Sequence, residues 1–552
     1  MEAAFKFGSE KDRVDLHIVP ANNSAYYSSL VQSYFQKSSA FPFELVTPLA
    51  NGELIHTICE SKYYNPEERS KLSSILLEQY SRLPEAYRLS TESPVYQNIV
   101  ALSDAKTVTV TTGQQIHIFM GPLFVWYKIM SCINQAKKYS RQQPEHTVVP
   151  VFWMATEDHD FEEIKSTTLY GTEYQWDIES SGAVGRLSPA SLLPLVDELS
   201  NRLDATKENQ EFIKICRDAY QLCTTYADAN RLIYHCYFEK YGLIVIDPDE
   251  AQFKAKMLPI IADDLTNHLP SSLIDESISK MKAAGIKAPI NTRSINFFHL
   301  EATARSRIIE VDSDHIQIAE GKVISKTEYL SQAAAQPDKL SPNALLRPLY
   351  QQLLLPNIAY VCGTSEFVYW LELKLLHDSY QVTYPELVIR DSILISSEKL
   401  FLKISRNLPD LNLIFESNND LKSGLIHNSQ NEITQKLLLL ESIKSNLIKI
   451  SQDSVLQDVN SKLGRNIIKQ MHKIVDGVEK LSKEWIEAAS EGDNEINLQL
   501  KSVSKVLGAS NDKERNTFII NNLSDILKLD FLNVFETISN NESKNIYFAV
   551  LK

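Results

Sequence analysis

Three groups of residues combine side-chain types that do chemistry. Gly113-Gln114-Gln115 leads within a few residues to Gly121-Pro122. Two amides beside the free N–H groups of a helix start would read a carboxylate, an amide or another anion. Composition alone favours a plainer account of this segment, a polar turn between strand and helix. Glu157-Asp158-His159-Asp160 crowds three carboxylates around one histidine. Such crowding is costly without a cation, a bound amine or a raised pKa. It fits Asp158 and Asp160 holding an ammonium or Mg²⁺ while His159 moves a proton. The alternative is a helix N-terminus, where the helix dipole favours acids; position just after a strand favours function. The third group is Arg347, Gln351, Glu366, Tyr369 and Trp370, followed by Arg390 and Ser392. Arginines near strand ends suit carboxylate or phosphate clamps, whereas Trp370 on a helix suits the core. Cys362 has no histidine near it in sequence and reads as a buried thiol rather than a nucleophile.

These residues need a scaffold. KTVTVTT is a short β-branched run that enters GQQIHIFMGP, and Pro122 then opens the apolar-faced helix LFVWYKIMSCINQAKK. TVVPVFWMA is a second apolar strand, ending directly in TEDHDFEE. Strand, helix and strand within so short a span make a βαβ unit and imply a parallel sheet. YGLIVIDPD with the helix EAQFKAKMLPIIADDL, NIAYVCGTSE with the helix FVYWLELKLLHDSY, and the strand YPELVIRDS extend the pattern. Residues at about 166–235 and 270–326 differ, the second holding INFFHL, SRIIEV, HIQIA and KVIS as short strands, and read as insertions. The organisation expected is therefore an α/β core with its insertions over 1–400 and helices over 401–552. Within the latter, Ile467, Met471, Ile474, Val478, Leu481 and Trp485 step by 4 and 3, and Ile433 to Ile450 do much the same. This heptad seam serves an intramolecular hairpin or self-association equally well.

Composition removes several classes. The 552 residues hold 56 basic and 70 acidic side chains, a net charge of −14, which argues against the broad basic face that nucleic acids require. With only 16 glycines, neither G-x-G-x-x-G, GxxxxGK[ST] nor GxSxG occurs. The six cysteines include no C-x-x-C, and H-E-x-x-H is missing, so no structural zinc is expected and the cysteines read as reduced. No run approaches the eighteen or so apolar residues of a membrane span, and the charged start lacks a signal-peptide pattern. The expectation is a soluble, cytoplasmic protein with no nucleic-acid or membrane partner.

Together, VTVTTGQQIHIFMGPLFVWYKI, VPVFWMATEDHDFEEI, LRPLYQQLLLPNIAYVCGTSEFVYWLELK and YPELVIRDS resemble the bacillithiol synthase family, the cysteine ligases of bacillithiol biosynthesis. The match runs in order from about residue 95 to 400. It implies a Rossmann-like core related to nucleotidyl transferases and class I aminoacyl-tRNA synthetases, with connecting-peptide insertions and a helical coiled coil used for dimerisation. It also implies addition of L-cysteine to glucosaminyl malate. On this resemblance Asp158, His159 and Asp160 are the catalytic candidates. Gly113, Gln114, Gln115, Gly121, Glu157, Arg347, Gln351, Glu366, Trp370, Arg390 and Ser392 are the substrate-binding ones, and Glu514 and Arg515 resemble a nucleotide-binding segment. CGTSE departs from the family's usual Gly-Pro-Gly-Glu turn. Amide formation from a free carboxylate is uphill, so ATP is implied, with an adenylate or an acyl phosphate as intermediate; yet neither HxGH nor KMSKS is present. Two other readings are a non-catalytic coiled-coil scaffold on a synthetase-like core and a nucleotidyltransferase acting on a small metabolite.

Overall fold

Thr107 to Thr112 are all branched at Cβ, which stiffens χ1 and suits a pleated, packed backbone. They form strand β1 (Thr107–Gln114), buried along its length until Gln114. The computed structural model that contains it describes residues 53–169 and 172–407 continuously. It also describes 5–7, 14–20, 27–39, 545–551 and parts of 41–46, 439–450, 467–484 and 534–538. Glu514 and Arg515 lie outside the described residues. Strands β2 (Thr147–Met154), β3 (Ile244–Ile246), β4 (Asn357–Cys362) and β5 (Glu386–Ile389) join β1 in one sheet of order β5-β4-β1-β2-β3. Every pairing is parallel. Near-continuous apolar strands such as VVPVFWM follow from this, since a parallel sheet is covered on both faces.

The order has a functional consequence. The chain moves outward from β1 through β2 to β3, then returns to the other side of β1 for β4 and β5. Pairings of Gln114 with Met154, Trp153 with Ile246, Val361 with Thr112, and Cys362 with Ile389 bring the C-terminal ends to one edge. A sheet whose order reverses opens a crevice at that edge, between β1 and β4.

Helix α1 (Phe124–Gln142) connects β1 to β2 and buries Val125, Ile129, Cys132, Ile133 and Ala136. Cys132, Ala136 and Tyr139 pack on Val108, Val110, Val148, Ile358 and Val361 from three strands. Complete burial of a valine or isoleucine side chain in this cluster contributes about 1.5–3 kcal/mol. The segment FVYWLELKLLHDSY, which reads as one helix, is two: α3 (Thr364–Trp370) and Lys374–Ser379. Between them, Leu371, Glu372 and Leu373 donate to the third residue back rather than the fourth. Both leucines of that tightened turn are fully buried.

The first proposed insertion is a two-stranded ribbon followed by helices Leu193–Arg202, Lys207–Leu222 and Tyr226–Phe238. The second contains a helix, Leu269–Ala283, and then short antiparallel strands. Phe297–Leu300 lies between Leu340–Pro342 and Arg305–Arg307.

The chain divides into two compact units. One comprises Ser33–Ile393 with Ile519–Ser543 and holds everything above; the other comprises Met1–Gln32, Leu394–Phe518 and Lys544–Lys552. In the second unit, Val14–Pro20 pairs antiparallel with Asn545–Leu551, so the two ends of the chain share a sheet. Where described, residues 439–450 and 467–484 are helical, and Lys444 forms an ion pair with Glu479 between them.

Candidate functional site

The crevice is entered by a strained turn. Phe119, Met120 and Gly121 all have positive φ, at 52°, 65° and 63°. A Cβ on Gly121 would stand 2.5 Å from the Cβ of His117, so both conformation and space demand glycine there. The turn lets the chain leave β1 at Gln114 and Gln115 and re-enter the fold as α1.

Gln115, Asp158 and Arg347 come from three different stretches and meet. Gln115 Nε2 donates to Asp158 Oδ2, and Arg347 Nη2 donates to the same oxygen at 2.8 Å. Arg347 opens helix α2 (Arg347–Leu354). Arg305, from the second insertion, donates to Asp158 Oδ1 at 3.1 Å, to His159 Nδ1 at 3.0 Å and to Pro342 O at 3.0 Å. Its guanidinium lies 3.9 Å from the Phe298 ring centroid, and that of Arg307 lies 5.3 Å away. Burial would raise Asp158, but Arg347 and Arg305 outweigh it and hold the carboxyl below its ordinary range. Asp158 is therefore a poor base and an already neutralised anion.

His159 is lowered, first by burial and then by Arg305. An arginine only donates, so the contact at Nδ1 places the proton of the neutral ring on Nε2. Towards a ligand His159 is then a hydrogen-bond donor, and it becomes a base only when Arg305 moves away. Asp160 does not join the group. It is exposed and caps Phe161–Ile164, accepting from Glu163 N at 3.3 Å. The pairing of Asp158 and Asp160 around a cation is thus replaced by pairing of Asp158 with arginines. Among the described residues no three His, Cys, Asp or Glu side chains are grouped to hold a metal ion.

At the β1/β4 crevice, Lys128 of α1 is 1 % exposed and uses all three of its N–H groups. They go to the Gly113 carbonyl, to Gln114 Oε1 at 3.0 Å and to Glu366 Oε2 at 2.6 Å. Glu366 also accepts from Gly363 N at 2.7 Å and from the Tyr360 hydroxyl at 3.1 Å. The CGTSE turn therefore closes as an N-cap, with Glu366 reaching back over Gly363.

Other candidates fall further out. Glu157 turns away from Asp158, towards β3, where Lys254 is 3.3 Å from its Oε2; burial raises it, with Lys254 opposing. Lys254 also meets Asp249 at 2.5 Å, and Arg186 grips Asp249 through two bonds of 2.6 and 2.8 Å. Gln351 is buried one helical turn beyond Arg347. Arg390 follows β5, its backbone N–H donating to Cys362 O at 2.9 Å and its guanidinium 5.9 Å from the Phe124 ring centroid. Ser392 is buried near it, with Arg390 Nη1 at 3.5 Å from its hydroxyl. Trp370 belongs to the core instead: fully buried, it packs on Tyr360, His377 and Tyr384. Burial pushes the Cys362 thiol far up, which fits an inert core cysteine.

Lys128 and Arg305 were not singled out from sequence. A lysine inside the apolar run FVWYKIMSCI is a readable anomaly. Nothing in the spacing links Arg305 to Asp158, 147 residues away.

A parallel sheet with reversed strand order, and polar side chains gathered at its C-terminal edge, defines a Rossmann-like α/β protein with a small-molecule crevice. The family model described as "Bacillithiol biosynthesis BshC, N-terminal Rossmann-like domain" matches residues 17–391, and the chain belongs to that family. The protein named "Putative cysteine ligase BshC" of Flavobacterium psychrophilum is 38 % identical over 379 residues, covering 68 % of this chain and 70 % of that one. The protein of the same name from Flavobacterium johnsoniae is 34 % identical over 407 residues, covering 73 % and 75 %. That from Chloroherpeton thalassium is 25 % identical over 509 residues, covering 86 % and 90 %.

Proposed function

We propose that this chain is a cytoplasmic ligase that joins the carboxyl group of L-cysteine to the amine of glucosaminyl malate, the last step of bacillithiol biosynthesis. The observation that carries the reading is the meeting of Gln115, Asp158 and Arg347 at one sheet edge. It occurs in a chain whose relatives are named cysteine ligases. An amide forms only when the carboxyl carries a leaving group, and ATP would supply that group as an adenylate or an acyl phosphate. Arg307, exposed and against Phe298, suits an anionic substrate group at the rim. The new C–N bond forms as the carboxyl-to-phosphate C–O bond breaks, and the amine gives up a proton. His159 Nε2–H fits stabilisation of the departing oxygen better than removal of that proton. Purified protein given L-cysteine, glucosaminyl malate and ATP should yield bacillithiol by mass spectrometry. Pyrophosphate release would identify the adenylate route and ADP the acyl phosphate. A deletion strain with normal bacillithiol overturns the reading.

The same reading includes a homodimer through the helical segment. Ile467, Ile474 and Leu481, seven residues apart, are 37, 50 and 45 % exposed, and Ile443 and Ile450 are exposed likewise. A seam of that period left uncovered is stabilised by a second copy of itself. Charged replacements at Ile474 and Leu481 should convert a dimer of twice 62.7 kDa into a monomer by light scattering. Wild-type protein that is monomeric at micromolar concentration overturns this part. Among the described residues no helix is long and apolar enough to cross a membrane.

A further inference from the structure

Adjacent glutamines at the end of β1 are locked in opposite polarity. Lys128 can only donate, so the Gln114 atom at 3.0 Å from its Nζ is the carbonyl oxygen, and the Gln114 NH₂ must face away from it. Asp158, held below its ordinary range, is ionised and can only accept. The Gln115 atom beside it is therefore the NH₂, and Gln115 Oε1 is turned the other way. That oxygen is buried and has no hydrogen-bond partner in the structure. Neither amide can reverse without setting donor against donor or acceptor against acceptor, so chemistry fixes both orientations. A buried acceptor left open at a crevice is matched by a ligand or by ordered water.

We infer that Gln114 and Gln115 are specificity-determining residues that read a donor and an acceptor on one ligand. On the proposed ligase function, on which this inference rests, the ligand is the amino-acid end of L-cysteine. Gln115 Oε1 accepts from its ammonium and the Gln114 NH₂ donates to its carboxylate. Lys128 is then a positioning residue. It touches no substrate, but its three bonds keep Gln114 in the donor orientation and hold Glu366 at the opposite wall of the crevice.

Calorimetric titration of the full-length protein with L-cysteine, cysteamine (no carboxylate) and 3-mercaptopropionate (no amine) tests the assignment. Wild type should bind L-cysteine more tightly than either analogue. Gln114→Met should lose about tenfold of the preference over cysteamine and keep the preference over 3-mercaptopropionate. Gln115→Met should do the reverse, a factor of ten being the size of one hydrogen bond. Lys128→Met should copy Gln114→Met, and Lys128→Arg, which retains a donor, should restore part of the preference; mere loss of stability would lower both preferences together. Should the lysine variants not fold, the two glutamine variants decide alone. Wild type that binds L-cysteine, with both preferences unchanged in the glutamine variants, overturns the inference and leaves the ligase reading standing. Wild type that neither binds L-cysteine nor forms product overturns both.

Discussion

Two corners of the same sheet edge each bury a lysine, one against a single carboxylate and the other between two, and they are built for different ends. At the β1/β4 crevice Lys128 holds Glu366, whose side chain is 22 % exposed, and the carbonyl oxygen of Gln114. At the β2/β3 end Lys254 holds Asp249 and Glu157, which are 5 and 6 % exposed, while Arg186 and a backbone carbonyl from Asp338 complete the enclosure. The first set adjoins Gln115 Oε1, a buried acceptor without a hydrogen-bond partner. The second spends most of its donors and acceptors on one another, Glu157 Oε2 being left with an ion pair but no hydrogen bond. A count of charges at strand ends does not separate a binding site from a structural lock; what separates these two is how far the carboxylate held by the lysine can be reached from outside.

Removing the second lysine should have the larger effect. Lys254→Met leaves Asp249 and Glu157 buried with too little positive charge, a loss of about 3–5 kcal/mol by the usual cost of breaking a buried pair. Calorimetry should show a fall in Tm of about 5 °C, with KM for L-cysteine in the surviving protein unchanged. A Tm within a degree of wild type would dissolve the contrast between the corners.

Next in size is an effect on turnover at the group beside the crevice. Asp158→Asn keeps the shape but removes the charge that Arg347 and Arg305 share and that orients Gln115. Loss of positioning at a reacting centre costs about 100-fold in kcat/KM, with a Tm shift well under half that of Lys254→Met. If the Tm collapses and the residual activity per folded molecule is normal, Asp158 is a structural pair like Asp249, and the two corners are alike.

Sequence made the scaffold of this contrast legible and hid its wiring. β-Branched runs, the proline before α1 and the acidic run after β2 were enough to place Gln115 and Asp158 beyond adjacent strand ends, because those signals are local. The second insertion was readable as short strands, but not its purpose: Arg305 reaches Asp158 only through the fold, and Phe298 supplies the platform under it. The segment from Asp160 to Glu163 carried a capping pattern, Asp-x-x-Glu, that competes with catalysis as an account of the same residues, and at Asp160 the cap won. Trp370 followed the ordinary preference of a large ring for the core. The pairing of Val14–Pro20 with Asn545–Leu551 had no local signal at all, since a strand does not encode which distant strand completes it.

The finest test of the contrast is acid. Burial alone would raise Asp249, but Lys254 and Arg186 outweigh it and hold the carboxyl at about 2 against an ordinary 3.8. A folded-state value below the unfolded one means that folding favours the ionised form. The resulting stability, about 2 kcal/mol, is fully present above pH 4 or so and is lost as pH falls through the folded value near 2. Asp249→Asn deletes that titration. Denaturant unfolding between about pH 5 and 2 should then show the variant's stability falling less steeply than that of wild type, by up to one proton's worth of slope, so that the two curves converge in acid. Gln114→Met, at the other corner, removes no titrating group and should leave the wild-type slope unchanged. Parallel curves for wild type and Asp249→Asn would mean that Lys254 and Arg186 do not hold this carboxylate, and the closed corner would lose its defining feature.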